Sequence, residues 1–592
     1  MMFNPAVYEM GKTQELISSF GGFNCNPVIP DNCFSEETNM GGDEFPLLSP
    51  RNKRAYFNVH GERLHGLFGK SKMMYINNGR LYYGDEPIND LYFPDSYANR
   101  RQFVSMGSKL VIFPDKVYVN TADFNDYGYL DELFVTEDGT NVTCSLSKGD
   151  GDLYENYVVS SAEPENVKNG DLWLDTSVAP NELKQYSESM GMWMPLAETY
   201  VRISCAGIGK NFDVYDGVTL SGFVNEELNG SHIIRDKGDD FITVTGIIPN
   251  TVNQTESVSV ERRTPEMDFV VESGNRLWGC NSAKNEIYAS KLGDPKNFDS
   301  FMGISTDSYA VTVGTDGEFT GAVSFRGYII FFKEHCIHKI YGQNPPYTVN
   351  TSYIRGVQKG SNKSLQVVNE TLYYKSPNGI CAFEGGIPVD VSEALGGAYY
   401  TDAVAGVLGN KYYICMSDKN GKRVLFNYDE SHNMWHKEDN LDVREFANHN
   451  GNLYFIGADE ENVIRVGLID GENVYGNFSG ELSGWFPEED FYWSCQTGIW
   501  GLDIPENKYY SNITLCVSGE KGARIHIDFQ TDENGKWENQ MSFSANELGS
   551  AVLPFATPRC RFLRIRIRGK GKAKVYVVSR TVETGSELNV RP

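Results

Sequence analysis

The sequence predicts an all-β chain: a β-propeller of six to eight blades with an inserted small β domain and a C-terminal β-sandwich. Three observations predict it. A short grammar, Gly or Asn, one spacer, then Leu or Tyr opening an aromatic strand, recurs at Leu81, Leu110, Leu277, Tyr328, Leu372, Tyr412 and Leu453. The later anchors lie about forty residues apart, the length of a blade that must pack on its neighbours to bury both faces. Composition agrees: aromatics are 13% of the chain, with 34 Tyr, 33 Phe and 59 Gly. Tyr and Phe suit half-buried strands and Gly suits turns. The third observation is the long gap from Leu110 to Leu277, which implies an insertion.

The elements follow in order. Residues 1–50 carry no sustained period and are punctuated by Gly21-Gly22, Pro27, Pro30 and Gly41-Gly42, so they read as an extended arm over another surface. Residues 51–135 hold the first blades. The insertion, 136–265, divides into a Trp-centred pair of strands near Trp173 and Trp193, then a compact barrel. The barrel's strands are Tyr200–Ile203, Val218–Gly222, His232–Ile234 and Phe241–Val244. Residues 266–483 carry the remaining blades. Residues 484–592 form the sandwich, with strands at 510–517, 523–529, 551–555, 561–568 and 573–580. Only Met10–Ser19 and Pro180–Met190 suggest helical periodicity.

At 592 residues the chain is long enough for a large core, and its formal net charge is −26. Such a surface repels polyphosphate, which argues against broad DNA wrapping. No apolar run reaches the ~18 residues of a membrane span, so no membrane insertion is expected. Eleven cysteines, an odd number without C-x-x-C, fit buried reduced thiols and assembly in a cytosol.

Catalytic motifs are not found: no phosphate loop, H-E-x-x-H, G-x-S-x-G or calcium loop. No catalytic residue, metal ligand or cofactor is therefore expected, and the chain is read as not an enzyme. Gly207-Ile208-Gly209 lacks the third glycine of a dinucleotide fingerprint. His335 and His338 fall on opposite faces of a strand, leaving Cys336 with His338, too few ligands for zinc. His432 and His436 lie in and after a polar hairpin turn. Asp150 and Asp152, and Asp236, Asp239 and Asp240, lack the spacing of a known calcium loop. Trp485, Trp493, Trp500 and Trp537, half of the eight tryptophans, fall in the sandwich and raise sugar stacking against core filling.

One stripe stands out. Arg564, Arg566, Arg568, Lys570, Lys572 and Lys574 alternate with apolar residues, giving a hairpin with one buried and one cationic face. That face either meets a partner (an acidic subunit, phosphate or nucleic acid) or is a solvated surface paired with carboxylates such as Asp532, Glu533 and Glu538.

Several phrases resemble one family. Gly21-Gly22-Phe23-Asn24, the run Asn39-Met40-Gly41-Gly42-Asp43-Glu44-Phe45-Pro46 continuing to Arg51, and Met267-Asp268-Phe269-Val270-Val271-Glu272-Ser273-Gly274-Asn275-Arg276-Leu277-Trp278 are three of them. With Asn285–Ser290 and Gly293–Phe298 they resemble the packaged-DNA stabilisation and tail-nozzle (tail tubular protein B-like) proteins of tailed phages. The resemblance covers about 1–125 and 265–470. It implies a structural virion protein of the tail, assembled in the host cytoplasm as a ring of copies, commonly six. Such a ring extends and closes the DNA channel below portal and adaptor proteins, retains packaged genome and anchors tail fibres. An acidic wall would let DNA slide through without sequence-specific binding. The competing reading is a host-surface carbohydrate-binding or glycosidase propeller, although the S-x-D-x-G-x-T-W turns of sialidases are not found.

Overall fold

The computed structural model describes residues 11–88, 90–458, 463–474, 482, 484–544 and 549–584. Regular structure is almost entirely strand, with short 3-10 turns such as Asp95–Arg100 and Asn362–Ser364. Among the described residues, seven meanders begin at Leu64–Gly69, Gln102–Met106, Phe269–Glu272, Gly321–Phe325, Gln366–Val368, Thr401–Leu408 and Val443–His449; the first six are four-stranded and the last belongs to a five-stranded sheet. In the last of these Ala55–His60 joins Ile464–Leu468, with Ala55 opposite Leu468. The first strand of the repeat region therefore completes its final sheet. The fold is an all-β propeller.

The repeating grammar has a local cause. Five of its seven copies are preceded by a turn of two consecutive positive-φ residues, among them Asn450 49° and Gly451 78°, and Arg326 50° and Gly327 79°. Such turns match the right-handed twist of a hairpin, and Gly and Asn reach them at least cost. The aromatic strand that follows is central in its sheet and buried on both faces, as in Asn452–Ala458. Six anchors open the second strand of their meander. Leu81 opens the third strand of the first sheet, Arg80–Tyr83, which explains its short distance to Leu110.

By contacts the chain divides into two compact units. One comprises 1–99, 331–338 and 351–592; the other comprises 100–330 and 339–350. The fourth meander supplies residues to both.

In the first unit, successive sheets bury large aromatics between them. Trp435, Tyr412 and Phe426 fill one layer, and Phe57, Tyr75 and Tyr454 another. The sandwich belongs to this unit and has two sheets. One runs Gly11–Ile17, Ala573–Thr584, Tyr509–Gly519, Gly549–Phe555; the other runs Phe34–Thr38, Tyr492–Thr497, Leu563–Lys570, Arg524–Thr531, Glu538–Ser544. The N-terminal arm thus supplies an edge strand to each sheet. Its Phe20, Phe34, Met40 and Leu48 enter the same core as Trp493, Trp500, Ile527 and Ile565. Where helical periodicity was expected, from Met10 to Ser19, the chain forms the strand Gly11–Ile17; Met10 lies outside the described residues. The strand is held by the exposed edge of Ala573–Thr584, and Gly11 pairs with Thr584.

A buried charge network fastens the segment that follows the arm to the rest of the unit. Arg54, 1% exposed, donates to Glu438 at 2.6 Å and to Asp439 at 2.6 and 3.1 Å. Arg51 donates to both oxygens of Glu488 at 2.7 and 2.8 Å. Burial alone would raise the Asp439 carboxyl, but Arg54 and Arg51 overcome it and hold it at about 2.

In the second unit the insertion forms an eight-stranded sheet from Glu132–Val135 to Val252–Gln254 and a four-stranded sheet containing Leu172–Asp175 and Met192–Pro195. Both contribute to one core: Leu174 and Leu183 join Val201, Ile203 and Ile242. The second expected helical stretch, Pro180–Met190, is the strand Glu182–Ser187, paired on both sides.

Candidate functional site

Within the first unit, the inner strands of the first, sixth and seventh meanders start side by side, and each is irregular at that end. Register shifts fall between His65 and Phe68, between Thr401 and Val404, and between Val443 and Glu445. An extra residue in one strand re-aims its side chains, and such bulges gather beside functional sites. Asp402 sits within one of them at a φ of 51°, a left-handed conformation uncommon outside glycine.

These irregular ends line an open cleft of about 670 Å³. Its walls carry Glu62, Asp402, Asp442 and Glu445 among the acids and Arg63, Lys363, Arg423 and Arg444 among the bases. Glu445 is 8% exposed. It accepts from the Leu67 amide at 2.8 Å and from Lys363 Nζ at 2.7 Å. Burial pushes its carboxyl up, but the Lys363 charge and these hydrogen bonds outweigh that and keep it ionised below the usual range. Arg423 donates to the Val443 carbonyl at 2.7 Å and lies 3.6 Å from Asp442, fixing the rim. Glu62 and Asp402 carry no ion pair among the described residues. The cleft therefore offers one fixed carboxylate at its floor, two unpaired acids at its mouth and several fixed donors. That array suits a polyhydroxyl ligand, whose hydroxyls both donate and accept.

The predicted cationic stripe is present but mostly engaged within the chain. Leu563–Lys570 alternates buried and outward residues. Arg566 and Arg568 share Asp528 at 2.8 and 2.7 Å, Arg564 meets Glu533 at 3.0 Å, Lys572 meets Glu472 at 2.5 Å and Lys574 meets Glu44 at 2.8 Å. Lys570 is the one of the six without an ion pair among the described residues; it lies 5.3 Å from the Tyr492 ring centre. Carboxylates on neighbouring strands and loops pair with five of the six.

The other candidates resolve into structure. His335 is exposed, whereas His338 is buried against Thr351 at 2.9 Å. His432 meets Asp429 at 3.0 Å, and His436 meets Glu37 of the arm at 3.2 Å. Asp150 caps its own turn by accepting from the Asp152 amide, and Asp240 accepts from the Gly207 amide. Gly209 is required by packing: a Cβ there would lie 2.1 Å from the Gly238 carbonyl. Trp493 and Trp500 are core residues, Trp537 lies beneath Arg566 at 4.5 Å, and Trp485 is exposed. The four do not form a stacking platform. The cleft residues Glu445 and Asp402 escaped the sequence reading. Their only local sign is a polar pair interrupting a strand, which is common in loops.

No family model matches the chain, and no curated protein matches it. Solved structures do. An exo-β-1,3-galactanase from Phanerochaete chrysosporium is 10% identical over 52% of this chain and 95% of its own, with a TM-score of 0.21. Kluyvelomyces marxianus Hsv2 is 12% identical over 51% and 92%, with a TM-score of 0.25. Phage phi92 endosialidase is 10% identical over 77% and 76%, with a TM-score of 0.21. At these scores no residue correspondence follows. One expectation is corrected: with a galactanase and an endosialidase among the matches, the reading of the chain as not an enzyme does not stand.

Proposed function

We propose that this chain is a β-propeller protein of a tailed-phage virion that binds host-surface carbohydrate through the propeller cleft. The observation that supports it is the convergence of three irregular inner strands on Glu445, held ionised, and Asp402, held in a left-handed conformation, over an open polar cleft. Two carboxyl groups flanking a glycosidic bond are also the minimum for its hydrolysis, so cleavage is the stronger form of the same reading. The test is binding of the purified full chain to extracted host surface polysaccharide, with release of reducing ends followed in parallel. Saturable binding that Glu445→Gln and Asp402→Asn weaken supports the reading. Polysaccharide binding that both variants leave untouched, or none at all, overturns it.

A second reading keeps the tail-nozzle ring. It is favoured by the net charge of −26 and by the phrases shared with that family. Several of those residues, Gly22, Phe23, Asn39 and Arg51, dock the arm onto the body; the Phe23 amide donates to the Trp435 carbonyl at 2.7 Å. In this reading six copies form a ring that meets portal, adaptor and fibre proteins and lets packaged DNA pass. Electron microscopy of the purified chain and of the particle distinguishes them: a symmetric ring with a central hole supports the nozzle, and a dispersed monomer in both opposes it.

A further inference from the structure

On the outward face of the sandwich's five-stranded sheet, Tyr492, Lys570 and Arg524 stand in one cross-strand row. Tyr492 is opposite Lys570, and Lys570 is opposite Arg524. Like charges directly opposite one another on a sheet oppose folding. Neither Lys570 nor Arg524 has an ion pair among the described residues, although the chain carries a net charge of −26. The next row along the sheet holds Arg568 opposite His526. Of the acids at this face, Asp528 is already shared by Arg566 and Arg568, and Asp490, which lines the same cleft, pairs with Lys53 at 2.6 Å. In a strongly acidic protein, a cationic row without carboxylate partners of its own is suited to an anionic ligand.

The row lines a cleft of about 730 Å³. Tyr492, 74% exposed, presents its ring at one end. At the other, His526 Nδ1 lies 2.7 Å from the Ser542 hydroxyl. A flat ring beside two adjacent cations fits a ligand with an apolar sugar face and a carboxylate.

We propose that this face is a binding site for an acidic saccharide, its carboxylate between Lys570 and Arg524 and its pyranose ring over Tyr492. The proposal does not rest on the propeller cleft, and its residues are separate from that cleft. A carboxylate bridging the two cations offsets their mutual repulsion. A phosphodiester chain offers the same charge without a sugar face to stack on one tyrosine, so the observations favour the saccharide.

The experiment is calorimetric titration of the full chain with trigalacturonic acid, with neutral galactotriose and with hexathymidylate. Saturable binding of the acidic trisaccharide is expected, and the neutral one should not bind. Arg524→Gln, Lys570→Gln and Tyr492→Ala should each weaken it by about tenfold, the worth of one charge-assisted contact or one stacked ring. The same titrations on the Glu445→Gln protein separate this site from the propeller cleft: heat that Arg524→Gln, Lys570→Gln and Tyr492→Ala remove in that background comes from this face. The unliganded Arg524→Gln and Lys570→Gln proteins should melt no lower than the parent, because each relieves the like-charge contact. Equal binding of the neutral sugar, preference for hexathymidylate, or no binding of the acidic sugar overturns the proposal. So does a pair of variants that lose binding only by losing melting temperature.

Discussion

Replacing Arg54 with Met should cost the first unit about 3–5 kcal/mol, the range for breaking a buried ion pair by removing one partner. The structure supplies the reasons. Arg54 is 1% exposed and reaches Glu438 and Asp439 at 2.6 Å each. Without it Glu438, whose side chain is 2% exposed, keeps a single cation, Arg51 at 3.8 Å, and the Asn427 side-chain amide, which donates to it at 3.2 Å. The Asp439 carboxyl is held at about 2 rather than 3.8 by Arg54 and Arg51 together, which corresponds to about 2 kcal/mol. That value is depressed by folding, so this stabilisation is full above 3.8 and disappears as pH falls towards about 2. Urea titration followed by near-ultraviolet circular dichroism, at pH 7 and at pH 2.5, measures both effects. The deficit of Arg54→Met should be large at pH 7 and much smaller at pH 2.5. Adding Glu438→Gln to Arg54→Met should recover part of it at pH 7, since the stranded charge is then gone. A loss below about 1 kcal/mol at pH 7, the range of an exposed pair, would refute the reasoning.

Three further outcomes are expected. Burial, with the charge of Lys333, lowers His338 from 6.5 to about 4, so folding should weaken by about 3 kcal/mol as pH falls through that window. His338→Gln, which cannot take a proton there, should flatten that slope in a pH series of melting curves. Burial lowers Lys375 from 10.5 to about 8, and it donates to the Ser376 carbonyl. Below pH 8 folding must bury the charge, so Lys375→Met should stabilise by up to about 3 kcal/mol at pH 7, the gain fading between about pH 8 and 10.5. Gly209→Ala should cost about 1–3 kcal/mol and lower the melting temperature of the second unit, because its methyl would meet the Gly238 carbonyl at 2.1 Å.

The repeats were legible because each meander needs the same two things: a turn open to positive φ and a central strand buried on both faces. Leu453 and Tyr412 advertise both. The alternation along Leu563–Lys570 was equally plain, since one face of that strand is core. The sequence was misleading where the partner is remote. Gly11–Ile17 is polar on most positions because it is an edge strand, and what holds it is a ladder to Thr584 and its neighbours. Glu182–Ser187 is ambiguous for a different reason: it is central in its small sheet, yet Leu183 is its one buried residue. Glu445 and Asp402 left no motif because a strand irregularity has no period. The residues that share the cleft, from Glu62 to Glu445, meet only once the sheets have packed.

The strand Gly11–Ile17 has a temporal consequence. Gln14 and the Ser579 it bonds are 565 positions apart, so the ribosome releases one long before the other exists. During synthesis the arm has no ladder to join, and its apolar Phe20 and Phe34 wait without a core. The sandwich is therefore built after translation of nearly the whole chain, by a long-range closure of the kind that slows folding. In that interval the unpaired arm is the part a chaperone, or a neighbouring nascent copy, would meet first.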